Sequence, residues 1–77
     1  MIDFRLLRHV LALGEHRNFV RAAESLHLSQ PALSRSIAGL EEELGVLLFD
    51  RMPSGLQPTL YGQIIIDRGQ EILDREN

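Results

Sequence analysis

The sequence predicts a mainly α-helical domain in which three helices precede a short two-stranded hairpin and a last helix. Apolar residues recur at helical spacing in four segments, and helix-capping residues stand just before them. The one stretch without this spacing, residues 46–58, carries turn residues at its centre. A chain of 77 residues with a 44% hydrophobic fraction has room for one small folded domain.

The first two helices are predicted from cap residues that precede apolar stripes. Helix one is expected to run from the N-cap Asp3 to about His16, and Asn18 is expected to cap helix two. The inward residues of helix one are Phe4, Leu7, Val10, Leu11 and Gly14. Those of helix two are Phe19, Ala22, Ala23 and Leu26. The two adjacent alanines predict a close crossing between helices.

The third helix follows a tight connection at residues 27–29. Ser29 is a good N-cap, and Pro31 is tolerated in the first turn, where backbone N–H groups have no partner. Gly45 suits the C′ position beyond the helix end. The inward stripe consists of Leu33, Ile37, Leu40 and Leu44.

Residues 46–58 predict a hairpin, with a first strand at 46–51, a turn at 52–55 and a return at 56–58. A hairpin that follows a helix-turn-helix, here at about residues 19–38, is a wing. Thr59 is then expected to cap a last helix that extends to residue 77.

The outward side of the third helix is the candidate functional surface. It carries Gln30, Ser34, Arg35 and Ala38. Gln and Arg side chains match the base edges in a DNA major groove, and short side chains allow close approach. Simpler roles stay open: Gln30 as a solvated residue, Arg35 as an ion-pair partner and Ser34 as a hydrogen-bond donor within its own helix.

Charge is distributed unevenly along the chain, whose net charge is −3. Residues 1–40 hold five arginines against three acids, whereas residues 41–77 hold three arginines against eight acids. The basic half contains the candidate surface. There is no lysine, and the arginine guanidinium is the cation best shaped for phosphate and guanine.

The last helix carries more apolar surface than one small core can bury. Gly62, Ile66, Gly69 and Leu73 share a stripe, with Ile65 and Ile72 beside it. Glycine inside a helix costs about 1 kcal/mol relative to alanine, so the two glycines favour a close crossing with another helix. The same helix of a second copy is the simplest partner, and a helix folded wholly onto its own domain is the alternative.

Several other functions find little support in the sequence. The chain has no cysteine, which fits a cytosolic protein and excludes disulfides and thiolate metal sites. His9 and His16 are about 10 Å apart by helical rise, and no acidic residue completes a ligand set. No nucleophile–base pair, phosphate loop, signal peptide or membrane-spanning segment is recognised. We therefore expect no enzyme activity, metal, cofactor or membrane association. The acidic run at residues 41–43 is expected to be solvated, apart from one inward-turned Glu that could fix the wing.

Residues 18–37, 40–46 and 48–51, which include the run Leu28-Ser29-Gln30-Pro31-Ala32-Leu33-Ser34-Arg35, closely resemble the DNA-binding domain of LysR-type transcriptional regulators. Residues 56–62 resemble that family's entry into its linker helix. The likeness covers nearly the whole chain in order and without gaps.

The resemblance implies a winged helix-turn-helix at residues 1–59 and a dimerising linker helix at 59–77. It implies promoter binding in the bacterial cytoplasm, at the nucleoid, by homodimers or by tetramers of a longer protein. That longer protein has a C-terminal inducer-binding domain, which these residues do not include. The DNA contacts carry over to seven positions: Asn18, Ser29, Gln30, Pro31, Ser34, Arg35 and Arg51. The wing tip lacks the family's usual basic residues, so Arg51 would act there nearly alone, unless it pairs with Asp50 or Glu43.

Two hypotheses therefore remain at the level of sequence. The first is sequence-specific DNA binding by a dimer through the third helix. The second, suggested by the net negative charge, the uncharged wing tip and the apolar last helix, is an interaction or oligomerisation module with little affinity for DNA.

Overall fold

The computed structural model describes residues 3–76, which form four helices and one antiparallel hairpin. The elements in chain order are α1 (Phe4–His16), α2 (Phe19–Ser25), α3 (Gln30–Leu44), β1 (Phe49–Met52), β2 (Gly55–Pro58) and α4 (Leu60–Glu76). The predicted fold class is confirmed. Residues 1, 2 and 77, which the predicted domain and last helix included, lie outside the described residues.

The first three helices begin at the predicted cap residues. In each case the cap side chain accepts a hydrogen bond from the backbone N–H three residues later: Asp3 from Leu6 at 2.8 Å, Asn18 from Arg21 at 2.9 Å and Ser29 from Ala32 at 3.2 Å. Gly45 ends α3 in the left-handed conformation, at a φ of 75° that glycine adopts without strain. Local chemistry therefore sets these helix boundaries.

The core lies where α1 crosses α2 and α3 and where the hairpin folds back onto them. Val10, Leu13, Leu33 and Leu48 are its largest fully buried side chains. Ala22 and Ala23 are also buried, as predicted for a close helix crossing. Burying one such leucine or valine stabilises the fold by about 1.5–3 kcal/mol.

Two residues of the predicted inward stripes are exposed. Phe4 is 46% accessible in the first turn of α1, and Leu44 is 45% accessible in the last turn of α3. Leu40 is the last buried residue of α3, so the helix runs past the end of the core before it stops. The predicted stripe of α1 is also divided, because Leu7, Leu11 and Gly14 lie against α4, whereas Val10 belongs to the main core cluster.

The first strand of the wing begins three residues later than predicted. β1 pairs with β2 in a register that sets Phe49 opposite Pro58 and Arg51 opposite Leu56. Residues 46–48 stay outside the ladder because the backbone of Leu48 has other partners. Its N–H donates to the Glu41 carboxylate at 2.7 Å, and its carbonyl accepts from the Thr59 N–H at 2.9 Å.

Helix α4 packs on its own domain, and this corrects the inference drawn from its two glycines. A Cβ atom added at Gly62 would meet the Leu48 carbonyl oxygen, and one at Gly69 would lie 2.5 Å from Leu7 Cδ1 on α1. Ile66, on the same stripe, lies against Gly14 of α1. The close crossing that the glycines mark is therefore formed within the chain. Thr59 caps the helix as predicted, its Oγ1 accepting from the Gly62 N–H at 3.1 Å.

Candidate nucleic-acid interface

Helix α3 has one side in the core and the other side in solvent. Leu33, Ile37 and Leu40 are buried, which fixes the rotation of the helix about its axis. The opposite side is formed by Gln30, Pro31, Arg35 and Ala38, all exposed, and by the half-buried Ser34. The surface predicted from sequence therefore lies outside the domain's own core.

A hydrogen bond joins two polar residues of this surface. Gln30 Nε2 donates to Ser34 Oγ at 2.9 Å, one turn further along α3. This bond holds the Gln30 amide against the helix and leaves its carbonyl oxygen and second N–H for an external partner. Ser34 is thus a partner of Gln30, and no bond to the α3 backbone is found for it among the described residues.

Arg35 projects from the same surface. Among the side chains of residues 3–75, no carboxylate lies within ion-pair distance of its guanidinium, so the ion pair considered as its alternative role is not formed there. Pro31, in the first turn, is exposed beside it. Arg35 is exposed, and the five N–H donors of its guanidinium form a fork that matches guanine O6 and N7 or a phosphate group.

Arg51, on β1, is held against α2 by an aromatic ring. Its guanidinium carbon lies 4.9 Å from the centroid of the Phe19 ring, within the range of a cation–π contact. Within the described part of the chain it forms no ion pair with Asp50. This contact fixes a positive charge at the junction of the wing and the second helix.

A cleft of about 380 Å³ connects these elements. It lies between the start of α2, the start of α3 and the wing, and Asn18, Gln30 and Arg51 line it. An adjoining groove of about 260 Å³ is lined by Ser34 and, again, Arg51. The structure therefore brings four predicted contact residues together. Pro31 and Arg35 lie on the neighbouring exposed surface, and Ser29 serves as the cap of α3.

Two residues that support this site were not singled out by sequence reasoning. Arg17 donates from Nη1 to Gln57 Oε1 of β2 at 3.0 Å. Ser36 Oγ lies 2.7 Å from His9 Nδ1, so that one hydrogen bond joins α1 to α3 next to Arg35. Neither contact has a local signal, because the partners are 40 and 27 residues apart.

His9 is a buried polar residue of the core, with 7% of its surface accessible. Burial, which disfavours the charged imidazolium, lowers its pKa from 6.5, and the nearby positive charge of Arg5 lowers it further. Asp3 acts in the opposite direction. His9 therefore serves as a neutral link between helices.

The described side chains, those of residues 3–75, contain no cluster of three or more His, Cys, Asp or Glu residues that could hold a metal ion. No helix in this part of the chain is both long and apolar enough to cross a membrane.

A family model described as a bacterial regulatory helix-turn-helix protein of the lysR family matches residues 4–63. The SDS degradation transcriptional activation protein of Pseudomonas sp. is 50% identical over 74 residues, which cover 96% of this chain and 24% of that protein. The chain spans about a quarter of the length of the curated relatives it matches.

Solved structures show the same fold. The BenM DNA-binding domain, in complex with benA site 1 DNA, is 35% identical with a TM-score of 0.89, over 96% of this chain and 83% of that one. The CbnR DNA-binding domain, also in complex with DNA, is 35% identical with a TM-score of 0.86, over 97% of this chain and 86% of that one.

Proposed function

Because the chain belongs to the lysR family of bacterial regulatory helix-turn-helix proteins, we propose that it binds promoter DNA at specific sequences and regulates transcription there. The observation that carries the proposal is the outward side of α3, on which Gln30, Ser34 and Arg35 lie clear of the core. The two structural relatives that contain DNA support it, since they share the fold over nearly all of this chain.

In this proposal, α3 enters the major groove with its first two turns against the base edges. A glutamine amide pairs with adenine N6 and N7, and a guanidinium pairs with guanine O6 and N7. The Gln30–Ser34 hydrogen bond reduces the rotamer freedom that Gln30 would lose on binding. Arg35, which has no ion-pair partner among the described residues, can turn toward DNA without breaking an internal contact.

Contacts to the DNA backbone would then set the register of α3 on the duplex. Asn18 and Arg51 line one cleft with Gln30, so a phosphate there would lie next to the residues assigned to the bases. Such contacts supply most of the affinity but carry no sequence information.

We further propose that the domain acts as a homodimer joined through α4, and that a longer protein would assemble two dimers into a tetramer. The support differs from that first inferred, because Gly62, Ile66 and Gly69 contact their own chain. The residues left for a partner start at the exposed Tyr61 and end at Ile72, which is 43% accessible, while Ile65 between them is half-buried against its own core. Tyr61, Ile65, Arg68, Ile72 and Arg75 follow the alternating four- and three-residue spacing of a coiled-coil seam.

Half-buried Leu73 lines an apolar groove between α4 and α1. None of the five seam residues lines this groove, so a partner helix would pack on the seam beside it. Two copies joined in this way present two α3 helices to one duplex, and the distance between them sets the half-site spacing. The proposed activity needs no cofactor from these residues, and its setting would be the nucleoid in the bacterial cytoplasm.

The test is selection of bound fragments from a genomic library, followed by fluorescence polarisation on a selected duplex and a scrambled one of equal length. We expect the selected duplex to bind at least 10³-fold more tightly at physiological salt. A chain that associates with itself but shows the same weak affinity for both duplexes would contradict the proposal and favour an oligomerisation module.

A further inference from the structure

We propose that Arg17 is a further DNA-contacting residue, which binds a backbone phosphate at the cleft between α2 and the wing. The inference rests on the proposed function, since it assumes that α3 binds a duplex. Arg17 would supply positive charge beside the wing, whose tip, residues 52–57, has no charged side chain.

The backbone conformation at residue 17 does not require an arginine. Arg17 follows α1 at a φ of 52° and a ψ of 32°, in the left-handed region where glycine or asparagine is usual. Its N–H closes the helix by donating to the Leu13 carbonyl at 2.8 Å, which a glycine would do equally well. Any specific role of an arginine here must therefore belong to its side chain.

The side chain of Arg17 is held at the cleft by the wing. Nη1 donates to Gln57 Oε1 at 3.0 Å, and Gln57 lies on β2 opposite Asp50. A guanidinium has five N–H donors, so this bond uses one and leaves four for another partner. The hydrogen bond thus positions a cation without neutralising it.

The charges around the cleft select an anion. Arg17 and Arg51 both line it, and no carboxylate is among the described residues that do so. Gln30, assigned above to a base, lines the same cleft, so an anion bound there would be part of the molecule that α3 contacts. For a helix in the major groove, that anion is a phosphate of the DNA backbone, which a guanidinium binds in bidentate fashion.

The test compares Arg17→Gly with Arg8→Ala on the selected duplex and its scrambled counterpart, over a range of salt concentrations. Both variants remove one exposed arginine, but Arg8 lines the groove beside α4. We expect Arg17→Gly to weaken binding to both duplexes by roughly five- to tenfold at about 0.1 M salt. We expect the slope of log K against log salt to fall by about one per protomer. Arg8→Ala should change neither quantity beyond about twofold in affinity.

A thermal melt separates this role from a structural one. Glycine suits the left-handed conformation, so Arg17→Gly should keep or raise the melting temperature while it loses affinity. A variant that binds as tightly as the wild type with an unchanged salt slope overturns the inference and leaves the proposed function intact. A loss of affinity that follows a lowered melting temperature also overturns it. A wild-type chain that binds neither duplex overturns the proposed function itself.

Discussion

The carboxylate of Glu41, on α3, accepts a hydrogen bond of 2.7 Å from the backbone N–H of Leu48, at the entry to the wing. A second, longer bond of 3.4 Å comes from the next N–H, that of Phe49. The helix assigned to the major groove is therefore tied to the hairpin by one side chain. Because Leu48 is fully buried, the bond also satisfies a polar group that water cannot reach easily.

Replacing Glu41 by alanine should destabilise the domain by about 1.5–3 kcal/mol, because a charge-assisted hydrogen bond is lost and a buried N–H is left without a partner. Urea unfolding followed by circular dichroism measures this. The control is Glu42→Ala, at an exposed neighbour in the same helix, which should stay within about 0.5 kcal/mol of the wild type. Equal losses in the two variants would show that Glu41 does not anchor the wing.

Gly62→Ala should destabilise the domain by about 1–3 kcal/mol, because the added Cβ meets the Leu48 carbonyl oxygen and forces α4 away from the core. Gly39→Ala should have the opposite sign. That glycine lies in the interior of α3 with nothing within 4 Å of an added Cβ, so alanine gains about 0.5–1 kcal/mol of helix propensity. Unfolding midpoints that move in the same direction would contradict this account of the glycines.

His9 predicts a pH dependence of stability. Its pKa is lowered in the folded state, so the unfolded chain takes up the proton first as the pH falls. Its contribution to stability is complete above about 6.5, the ordinary pKa, and is lost progressively as the pH falls toward the folded-state pKa. A single proton limits this loss to about 1.4 kcal/mol per pH unit.

The measurement is the free energy of unfolding, determined at several pH values between about pH 7 and pH 5. His9→Gln should flatten the decline seen with the wild type. The result that counts against this role of His9 is a His9→Gln profile parallel to that of the wild type.

The seam on α4 predicts where self-association can be broken. Ile72→Glu places a charge at an exposed position of the seam and should weaken the dimer at least tenfold, with little change in monomer stability. Gly69→Leu should instead unfold or distort the monomer, because its side chain would collide with Leu7. Sedimentation velocity with parallel melting curves distinguishes the two. A dimer unaffected by Ile72→Glu would refute the seam.

Features set by local chemistry were predictable from sequence. Asp3, Asn18 and Ser29 cap helices through bonds to residues three positions on, and Gly45 ends α3 by its own conformation. The rotation of α3 was also predictable, since Leu33, Ile37 and Leu40 fix its buried side whatever their exact partners.

Features set by long-range packing were not predictable in this way. A glycine stripe indicates a close approach but does not say to what, and here Leu48 and α1 occupy the space assigned to a second copy. The sequence predicts a first strand that begins too early, because the apolar Leu48 is typical of a strand, whereas its N–H donates to the Glu41 carboxylate. Arg17 was missed because its partner Gln57 is distant in sequence.

The assignment of the outward side of α3 to base recognition is tested most directly by the specificity of Arg35→Ala. Affinities for a selected duplex and its scrambled counterpart are compared for the wild type, for Arg35→Ala and for Arg8→Ala as the matched control. Loss of a bidentate contact to guanine should reduce the specificity by about 1–3 kcal/mol per half-site while the control keeps it. If the ratio of the affinities for the two duplexes is the same in Arg35→Ala as in the wild type, base recognition by this residue is contradicted. Equal losses of affinity on both duplexes, with a lower slope of log K against log salt, would assign Arg35 to a phosphate contact instead.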